Sequence, residues 1–298
     1  MNTQLLFNSI GSLSVFLIVG LGFSISFSTI KFFNLSQAVI ITFAAYFTYL
    51  FSIKLNLPLF FAIPLSILCS TAISVISEIG IFRAMRYANQ ESAQNGGAFK
   101  MLIASIGLYN ILQNLISLCF GDDTKSIRTG EVKVGHELLG AYITDIQIII
   151  IAVSSVLFVA VLLLLHKTRL GKQIRAVSNN PELCNIYGID SDKVILWATV
   201  VSSALAAIAG ILIALDVDMT PTFGFNYFLY GVVAMIIGGV GSYRGLIFGS
   251  LLLASAQHMA AYYIDTKWMD AVAYMILILF LIWKPLGFSG QRLKKIDI

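Results

Sequence analysis

The chain has 298 residues and a mean hydropathy of +0.88, and only 11% of its residues are charged. An ordinary soluble domain carries about 25% charged residues, so this composition excludes a soluble globular protein. The net charge of +4 does not indicate nucleic-acid binding, because the basic residues lie at the ends of apolar runs. Long continuous apolar runs are typical of membrane-spanning helices. The sequence therefore predicts an all-α polytopic membrane protein.

Nine apolar runs divide the chain, and most approach the roughly 20 residues that cross a bilayer as a helix. The seventh run is short and rich in glycine, which favours a broken or re-entrant segment over a full crossing. We therefore expect eight or nine transmembrane helices in a single membrane domain that covers residues 1–298. The runs lie near 6–29, 36–53, 58–80, 100–120, 146–166, 193–215, 226–240, 246–263 and 269–284.

The orientation follows from lysine and arginine, which are enriched on the cytoplasmic side of membrane proteins. With the N-terminus outside and all nine runs crossing, 14 of the 19 basic residues fall on the cytoplasmic side, including Arg292, Lys294 and Lys295 of the C-terminal tail. We expect a multi-pass protein of the cell inner (plasma) membrane with a cytoplasmic C-terminus. The basic residues on the outer side are then Lys54, Lys125, Arg128, Lys133 and Lys267.

Polar residues interrupt the early runs. Asn34 and Gln37 lie at the start of the second run, where they either line a solute pathway or cap the helix at the membrane interface. Glu78 lies near the inner end of the third run. Acidic residues inside a membrane are costly and are often functional. The alternative is that Glu78 is simply hydrated or paired with Arg83.

The fourth run carries a polar stripe. Asn110, Gln113 and Asn114 have the i, i+3, i+4 spacing that places side chains on one face of a helix. Lipid would leave these amides without hydrogen-bond partners, so the stripe faces either protein or a water-filled path.

Two polar segments lie outside the runs. The loop at 121–145 falls on the outer side, where it is either a contact surface for an external partner or a solvated connection. The loop at 167–192 falls on the cytoplasmic side and carries helix signals. Leu170–Val177 predicts one basic helical segment, and Asn180–Gly188 predicts a second, short helix.

The second segment has signals for both helix ends. Asn180 is a favourable N-cap, Pro181 suits the first helical position, and Glu182 suits the positive end of the helix dipole. Gly188 is placed for a left-handed C-terminal cap. The predicted helix has about two turns and connects to the preceding basic segment.

One face of this short helix is apolar, because Leu183, Ile186 and Tyr187 have the i, i+3, i+4 spacing. An apolar face on the cytoplasmic side needs a cover, which is either the lipid headgroups or a groove on another protein. The organisation of the loop favours the protein groove.

The last third of the chain contains Gly238, Gly239 and Gly241, which indicate either close helix packing or an unwound segment near a pathway. Gln257 and His258 lie late in the eighth run. We interpret them as hydrogen-bonding residues at the interface or between helices.

The sequence contains no recognisable catalytic chemistry. Gly171-Lys172 is followed by Gln173 and lacks the upstream glycine of a nucleotide-binding phosphate loop. Histidine, cysteine and acidic residues show no metal-ligand spacing, and no nucleophile stands beside a base in a recognisable pattern. We therefore expect no enzyme activity, catalytic residue, metal or cofactor in this chain.

Several stretches resemble the permease family of branched-chain amino acid ABC transporters. The loop contains Thr168-Arg169-Leu170-Gly171, Arg175-Ala176, Asn180-Pro181-Glu182 and Gly188-Ile189-Asp190 in the family's order. Further matches are Phe33–Ala38, Gly238-Gly239-Val240-Gly241-Ser242 with Gly245 and Gly249, and Pro285-Leu286-Gly287-Phe288. The loop and the glycine-rich stretch are the specific matches.

The chain departs from the family pattern at three places. Leu183 and Cys184 stand where the family has two small residues, which suggests a particular ATPase partner. Arg244 replaces a proline. Ser36-Gln37 replaces His-Gly, and this change leaves the solute open because the segment is a candidate for the pathway.

The resemblance implies the membrane-spanning permease subunit of an importer for branched-chain or other hydrophobic amino acids. It implies a separate cytoplasmic ATPase, a second permease subunit and an external solute-binding protein as partners. Docking on the ATPase would involve Arg175 and 180–188, namely Asn180, Pro181, Glu182, Leu183, Ile186, Tyr187 and Gly188. Candidate pathway residues are Asn34, Gln37, Asn110, Asn114, Gly238, Gly239 and Gly241. The alternative function is a stand-alone secondary transporter or channel for a small polar solute such as urea or an amide.

Overall fold

The computed structural model describes residues 2–91, 97–128, 135–138, 140–284 and 287–289. Across these residues the regular secondary structure is helical apart from an isolated bridge between Lys125 and Met219 and one two-stranded antiparallel hairpin, β1 (His136–Leu138) and β2 (Ala141–Ile143). The helices are α1 (Asn2–Ile30), α2 (Ser36–Tyr49), α3 (Leu59–Ser77), α4 (Arg83–Glu91), α5 (Gly97–Phe120), α6 (Asp145–Lys167), α7 (Arg169–Asn179), α8 (Pro181–Ile186), α9 (Ser191–Asp216), α10 (Phe223–Gly238), α11 (Tyr243–Tyr263) and α12 (Met269–Trp283). This architecture confirms the all-α membrane class.

Seven segments among the described residues are long and apolar enough to cross a membrane. A π-helical turn at Leu50–Lys54 extends α2, and another at Glu78–Phe82 joins α3 to α4. Helices α10 and α11 form a separate pair that is bent by 119°. The seventh and eighth predicted runs are therefore two arms of one bent element, as the short glycine-rich run suggested. By length and composition, the described residues give seven candidate spans, or eight with this pair, at the lower end of the predicted eight or nine. Because α11 runs back toward the end of the bundle where α10 begins, the pair leaves α12 starting on the same side as α10.

The helices form an inner and an outer group. In α1, α2 and α9, 72%, 67% and 72% of the most apolar stretch is buried within this one chain. The same fraction is 17% in α5 and 22% in α6. The inner helices form the core, and the outer helices turn most of their surface toward lipid or other chains.

Glycines allow the inner helices to touch through their backbones. A Cβ on Gly210 of α9 would lie less than 3.0 Å from the backbone of Ile41 in α2. A Cβ on Gly231 of α10 would lie 2.8 Å from the backbone nitrogen of Gly20 in α1. Membrane helices have little hydrophobic force between them, so such close van der Waals contact is a main source of their association.

The two ends of the bundle differ. At the β-hairpin end, the Gln4 side chain of α1 exchanges two hydrogen bonds with the backbone of Tyr142, at 2.9 and 2.8 Å. At the opposite end, the α8 end, lie α7, α8 and the turn between α10 and α11. Several residues of the sequence predictions lie outside the described residues, so the predictions about them stay open. These residues are Lys133, Pro285, Leu286, Arg292, Lys294 and Lys295.

We predict that Gly210→Ala destabilises the protein by about 1–3 kcal/mol, because the new methyl group forces α9 away from α2. Gly107→Ala is the matched control, since a Cβ at Gly107 of α5 meets no heavy atom within 4 Å. Thermal unfolding in mild detergent, followed by size-exclusion chromatography, measures both variants. Equal melting temperatures for the two would contradict the packing role of Gly210.

Candidate functional site

A tight junction connects α6 to α7. The Thr168 hydroxyl donates to the carbonyl of Leu164 at 2.6 Å, and Thr168 Oγ1 accepts from the N–H of Gly171 at 3.0 Å. A Cβ on Gly171 would collide with the backbone of Leu164 and Leu165. The Thr-Arg-Leu-Gly sequence therefore makes a sharp turn that presses α7 against the end of α6.

Both ends of α8 are capped as predicted. Asn180 Oδ1 accepts from the N–H of Leu183 at 3.0 Å, and Pro181 occupies the first helical position. Gly188 has a φ of +79°. Its N–H donates to Asn185 at 3.1 Å, and the N–H of Ile189 donates to Cys184 at 2.9 Å. This pair of bonds is the Schellman arrangement, which glycine allows at little steric cost.

Helix α8 is fastened to the start of α9. The Ser191 hydroxyl donates to the carbonyl of Pro181 at 2.8 Å, and the Ser191 N–H donates to Asn185 Oδ1 at 3.0 Å. Asp190 caps α9 by accepting from the N–H of Lys193, and this hydrogen bond lowers the pKa of the Asp190 carboxyl. These hydrogen bonds join α8 directly to α9, a core helix.

The outer face of α8 has no cover within this chain. Leu183, Ile186 and Tyr187 are 49%, 81% and 78% exposed, while Cys184 is buried beneath them. Glu182 is also exposed, as is Arg175 on the neighbouring α7. Apolar side chains clustered on a surface and rimmed by charges are typical of a protein–protein contact.

A charge cluster ties α4 to the same end of α9. Buried Glu78 pairs with Arg86 at 2.6 Å, and Arg86 also approaches Asp192 at 3.7 Å. Arg83 pairs with Asp192 at 3.6 Å, and the Tyr87 hydroxyl donates to the same carboxylate. The sequence suggested Arg83 as the partner of Glu78. That pairing is wrong because α4, which follows the π-helical turn, directs Arg83 to Asp192.

Two of the predicted pathway residues lie inside the bundle. Asn34 Oδ1 accepts from the N–H of Ser36 at 3.1 Å and from its hydroxyl at 2.6 Å, so this side chain closes the turn before α2. The Gln37 amide donates to the carbonyl of Ser202 in α9 at 3.3 Å. Both side chains are buried. Their role in a pathway stays a prediction, and their observed contacts are structural.

In contrast, the predicted pathway amides of α5 lie on the exposed surface of the bundle. Asn110 and Asn114 are exposed, and each donates to the carbonyl four residues earlier, at 2.9 and 2.8 Å. At 100° per residue, they lie on the side of α5 opposite to buried Ser105 and Ile116. Gln113 is only partly exposed. Two amides on the outermost face of a spanning helix favour a polar neighbour outside this chain, because lipid would leave their remaining hydrogen-bonding groups without partners.

The glycine-rich stretch forms the turn between α10 and α11. Gly239 and Gly241 have φ values of +99° and +82°, which other residues adopt only with strain. A Cβ on Gly238 would collide with the backbone of Gly245. These are the contacts of a tight turn and of close helix packing. A pathway role for the three glycines stays a prediction.

This turn lies beside α7, a proximity that the sequence did not predict. The cleft between this turn and α7 has a volume of about 730 Å³. A second, smaller cavity elsewhere in the bundle, of about 330 Å³, would hold a small molecule. Arg244 lines the cleft together with Ser178 and Asn179 of α7. Beyond α12, the N–H of Phe288 donates to the carbonyl of Ile237 at 2.9 Å. The loop around α7, the glycine-rich turn and Phe288 therefore meet at the α8 end.

The smaller cavity opens at the β-hairpin end, among α1, α6, α9, α10 and α11. The Ser12 hydroxyl and His258 Nε2 are hydrogen-bonded across it at 2.8 Å, which fits the interhelical bond expected for His258. Asp216 and Tyr227 also line it. In the sequence, the signal that could have indicated this cavity is Asp216, the acidic residue directly after the sixth predicted run. Among the described residues, no group of three histidines, cysteines or acids is close enough to hold a metal ion.

Known proteins match this chain over nearly its whole length. A family model described as the permease component of the branched-chain amino acid transport system matches residues 5–281. The high-affinity branched-chain amino acid transport system permease protein BraD of Pseudomonas aeruginosa is 27% identical, over 97% of this chain and 95% of that protein. LivH of Escherichia coli K12, a permease protein with the same description, is 32% identical over 64% of this chain and 63% of its own length.

A solved structure is similar in fold. PsaBC from Streptococcus pneumoniae, in complex with a Fab, has a TM-score of 0.51 and 12% sequence identity. The match covers 93% of this chain and 91% of that one. At this identity, the likeness concerns the fold alone.

We predict that Arg86→Met destabilises the protein by about 3–5 kcal/mol, because it leaves the Glu78 carboxylate buried without a partner. The double variant Glu78→Gln with Arg86→Met restores most of this loss. Lys193→Ala, which removes an exposed pair with Asp190, serves as the control and changes stability by less than about 1 kcal/mol. Thermal unfolding of the parent chain and these three variants measures the differences in stability. A double variant as unstable as Arg86→Met would contradict the buried pair.

Proposed function

We infer the function from one premise, that this chain belongs to the branched-chain amino acid transport system permease family. It is the membrane-spanning permease component of an ABC importer. ATP hydrolysis takes place in a separate cytoplasmic subunit, since this chain has no phosphate-binding loop. The α8 surface, formed by Leu183, Ile186 and Tyr187, is exposed, apolar and rigidly joined to α9. This observation supports a coupling role.

We propose that the ATPase docks on α8. Ile186 and Tyr187 are the most exposed apolar side chains of α8 and would enter a groove on the ATPase, while Arg175 and Glu182 meet polar groups at its rim. Closure of the ATPase would then move α8. The Ser191 hydrogen bonds carry this motion to α9, and the adjacent Asp192 cluster carries it to α4. The glycine turn beside α7 brings α10 and α11 into the same unit.

The proposed orientation follows from this docking. The α8 end faces the cytoplasm, and the β-hairpin end faces outward toward a solute-binding protein. In that orientation the chain lies in the cell inner membrane as a single permease domain with a cytoplasmic C-terminus. The charged and half-exposed outer loop around Asp123, Lys125 and Arg128 is the candidate contact for the binding protein.

A second permease subunit completes the transporter. The outermost face of α5, with Gly107, Asn110 and Asn114, has the polarity to line a solute path at the seam between two subunits. The path would accept branched-chain or other hydrophobic amino acids, because apolar positions such as Ile103 and Ile111 alternate with the amides on this face. Amide groups would hydrogen-bond the backbone of such a solute, and the aliphatic side chains would contact its side chain.

We predict that replacing Ile186 and Tyr187 by serine weakens ATPase docking by about 2 kcal/mol or more, roughly 30-fold in affinity. Co-purification of the ATPase with the tagged complex, quantified by mass spectrometry, measures the loss. Tyr263→Ser is the control, because Tyr263 is equally exposed, at 78%, but lies at the other end of the bundle. Full ATPase retention by an inserted double variant would contradict docking on α8.

We predict that Asn110→Leu and Asn114→Leu each reduce leucine uptake by about tenfold while ATPase co-purification stays unchanged. Val156→Leu, at an exposed position of α6, should transport normally. Uptake into proteoliposomes with binding protein and ATP measures the effect. If α5 faced only lipid, leucine would suit it better than asparagine, so both variants would be stable and fully active. That result would contradict a solute path along α5 between two subunits.

A further inference from the structure

An apolar groove runs along the outside of the bundle between α2, α3 and α5. Its volume is about 510 Å³. Phe43 and Phe47, stacked at a centroid distance of 5.5 Å, form one wall, and Ile73, Leu115 and Cys119 contribute to the others. Cysteine in such a setting behaves as a small hydrophobe. Every lining side chain except one is therefore apolar.

The exception is Lys54, which stands at the mouth of the groove where the π-helical turn after α2 ends. Its Nζ lies 5.3 Å from the centre of the Phe120 ring. Within the described part of the chain, no carboxylate lies at ion-pair distance from this ammonium group. The groove thus combines a long apolar floor with one positive charge at its end, the complement of an anionic amphiphile.

The depth of the groove matches one leaflet of a bilayer. Eleven residues separate Phe43 from Lys54, which corresponds to about 16 Å at 1.5 Å per helical residue. Half of a hydrocarbon core of about 30 Å is about 15 Å. The segment that follows Lys54 exposes Leu55, Phe60 and Phe61 at 58%, 79% and 63%. Exposed apolar side chains beside a lysine are typical of a helix end at the membrane interface, so the mouth lies at headgroup depth.

We propose that this groove binds one anionic phospholipid of the leaflet in which α2 ends. One acyl chain lies along the Phe43–Phe47 wall, and the headgroup phosphate pairs with Lys54. The site is a structural lipid site that separates α3 from α5 and holds the outer half of α5 in position.

A second permease subunit is the other candidate occupant, and its proposed position argues against it. Leu115 and Cys119 project about 140° around the α5 axis from Asn110 and Asn114, at 100° per residue. A subunit that covers the amides therefore leaves the groove facing lipid. This step rests on the proposed seam at α5, whereas the lipid test below does not measure transport and is independent of it.

The test reconstitutes the intact complex in a 3:1 mixture of phosphatidylethanolamine and phosphatidylglycerol, extracts it in mild detergent, and counts bound lipids by native mass spectrometry. We expect one phosphatidylglycerol per permease chain. Lys54→Ala should reduce its retention about fivefold, and Lys54→Arg should keep it. Cys119→Trp should fill the groove and displace the lipid even when Lys54 is present.

Two variants control for charge and bulk. Lys267→Ala removes an exposed basic residue at the same end of the molecule, and Val159→Trp adds an indole at an exposed position of α6, which does not line the groove. Both should retain phosphatidylglycerol like the parent chain. Unchanged retention in Lys54→Ala and Cys119→Trp would overturn the proposal. So would an oxidative Cys119–Cys119 cross-link between subunits in a complex without bound lipid, because the occupant would then be the second copy.

Discussion

The structure depends on the close approach of helix backbones at glycine. Inside a bilayer, apolar side chains gain little by leaving lipid for each other, so helices associate through dense contact and through interhelical hydrogen bonds. In this chain Gly210 admits the backbone of Ile41, and Gly231 admits that of Gly20. These contacts fix α1, α2, α9 and α10 as one compact inner group. The outer helices α3, α5, α6 and α12 then attach to this group through only part of their surface.

The proposed coupling role depends on α8 and α4, which are both held to the inner group through α9. Helix α9 begins with Ser191, which holds α8, and Asp192, which holds α4 through two arginines. The same helix packs against α1 and α2 along its length. A push from an ATPase docked on α8, as proposed, would reach the centre of the molecule through the Ser191 hydrogen bonds. Exposed ion pairs alone would transmit such a push less firmly, because they are weak and adaptable.

The surfaces left exposed by one chain have three different chemistries. The α8 surface is apolar and lies among charged residues, which suits a protein groove. The outer face of α5 carries amides at membrane depth, which suits a polar path or another subunit. The groove beneath Lys54 is apolar with a single cation, which suits a lipid. This chain leaves all three without a cover, and their side-chain chemistry separates them.

Local signals in the sequence determined much of this protein. Hydropathy determined the membrane class and most spans, because each span must be apolar along its own length. Asn180, Pro181 and Gly188 determined the limits of α8, because helix caps act within a few residues. The glycine-rich run indicated the bend that separates α10 from α11. The motifs of the 168–190 loop also identified the family that the comparisons confirmed.

Only the tertiary structure decided which distant residues meet. The pairing of Glu78 with Arg86, and the approach of Arg83 to Asp192, depend on how α4 leaves a π-helical turn. Gly238, Asn34 and Asn110 are all small or polar residues, so the sequence does not separate them. In the structure the first two are enclosed and the third is exposed. A helical pattern specifies which residues share a face, and the packing of the whole bundle specifies whether that face is covered. That choice is made by contacts between segments far apart in the chain, which no local pattern contains.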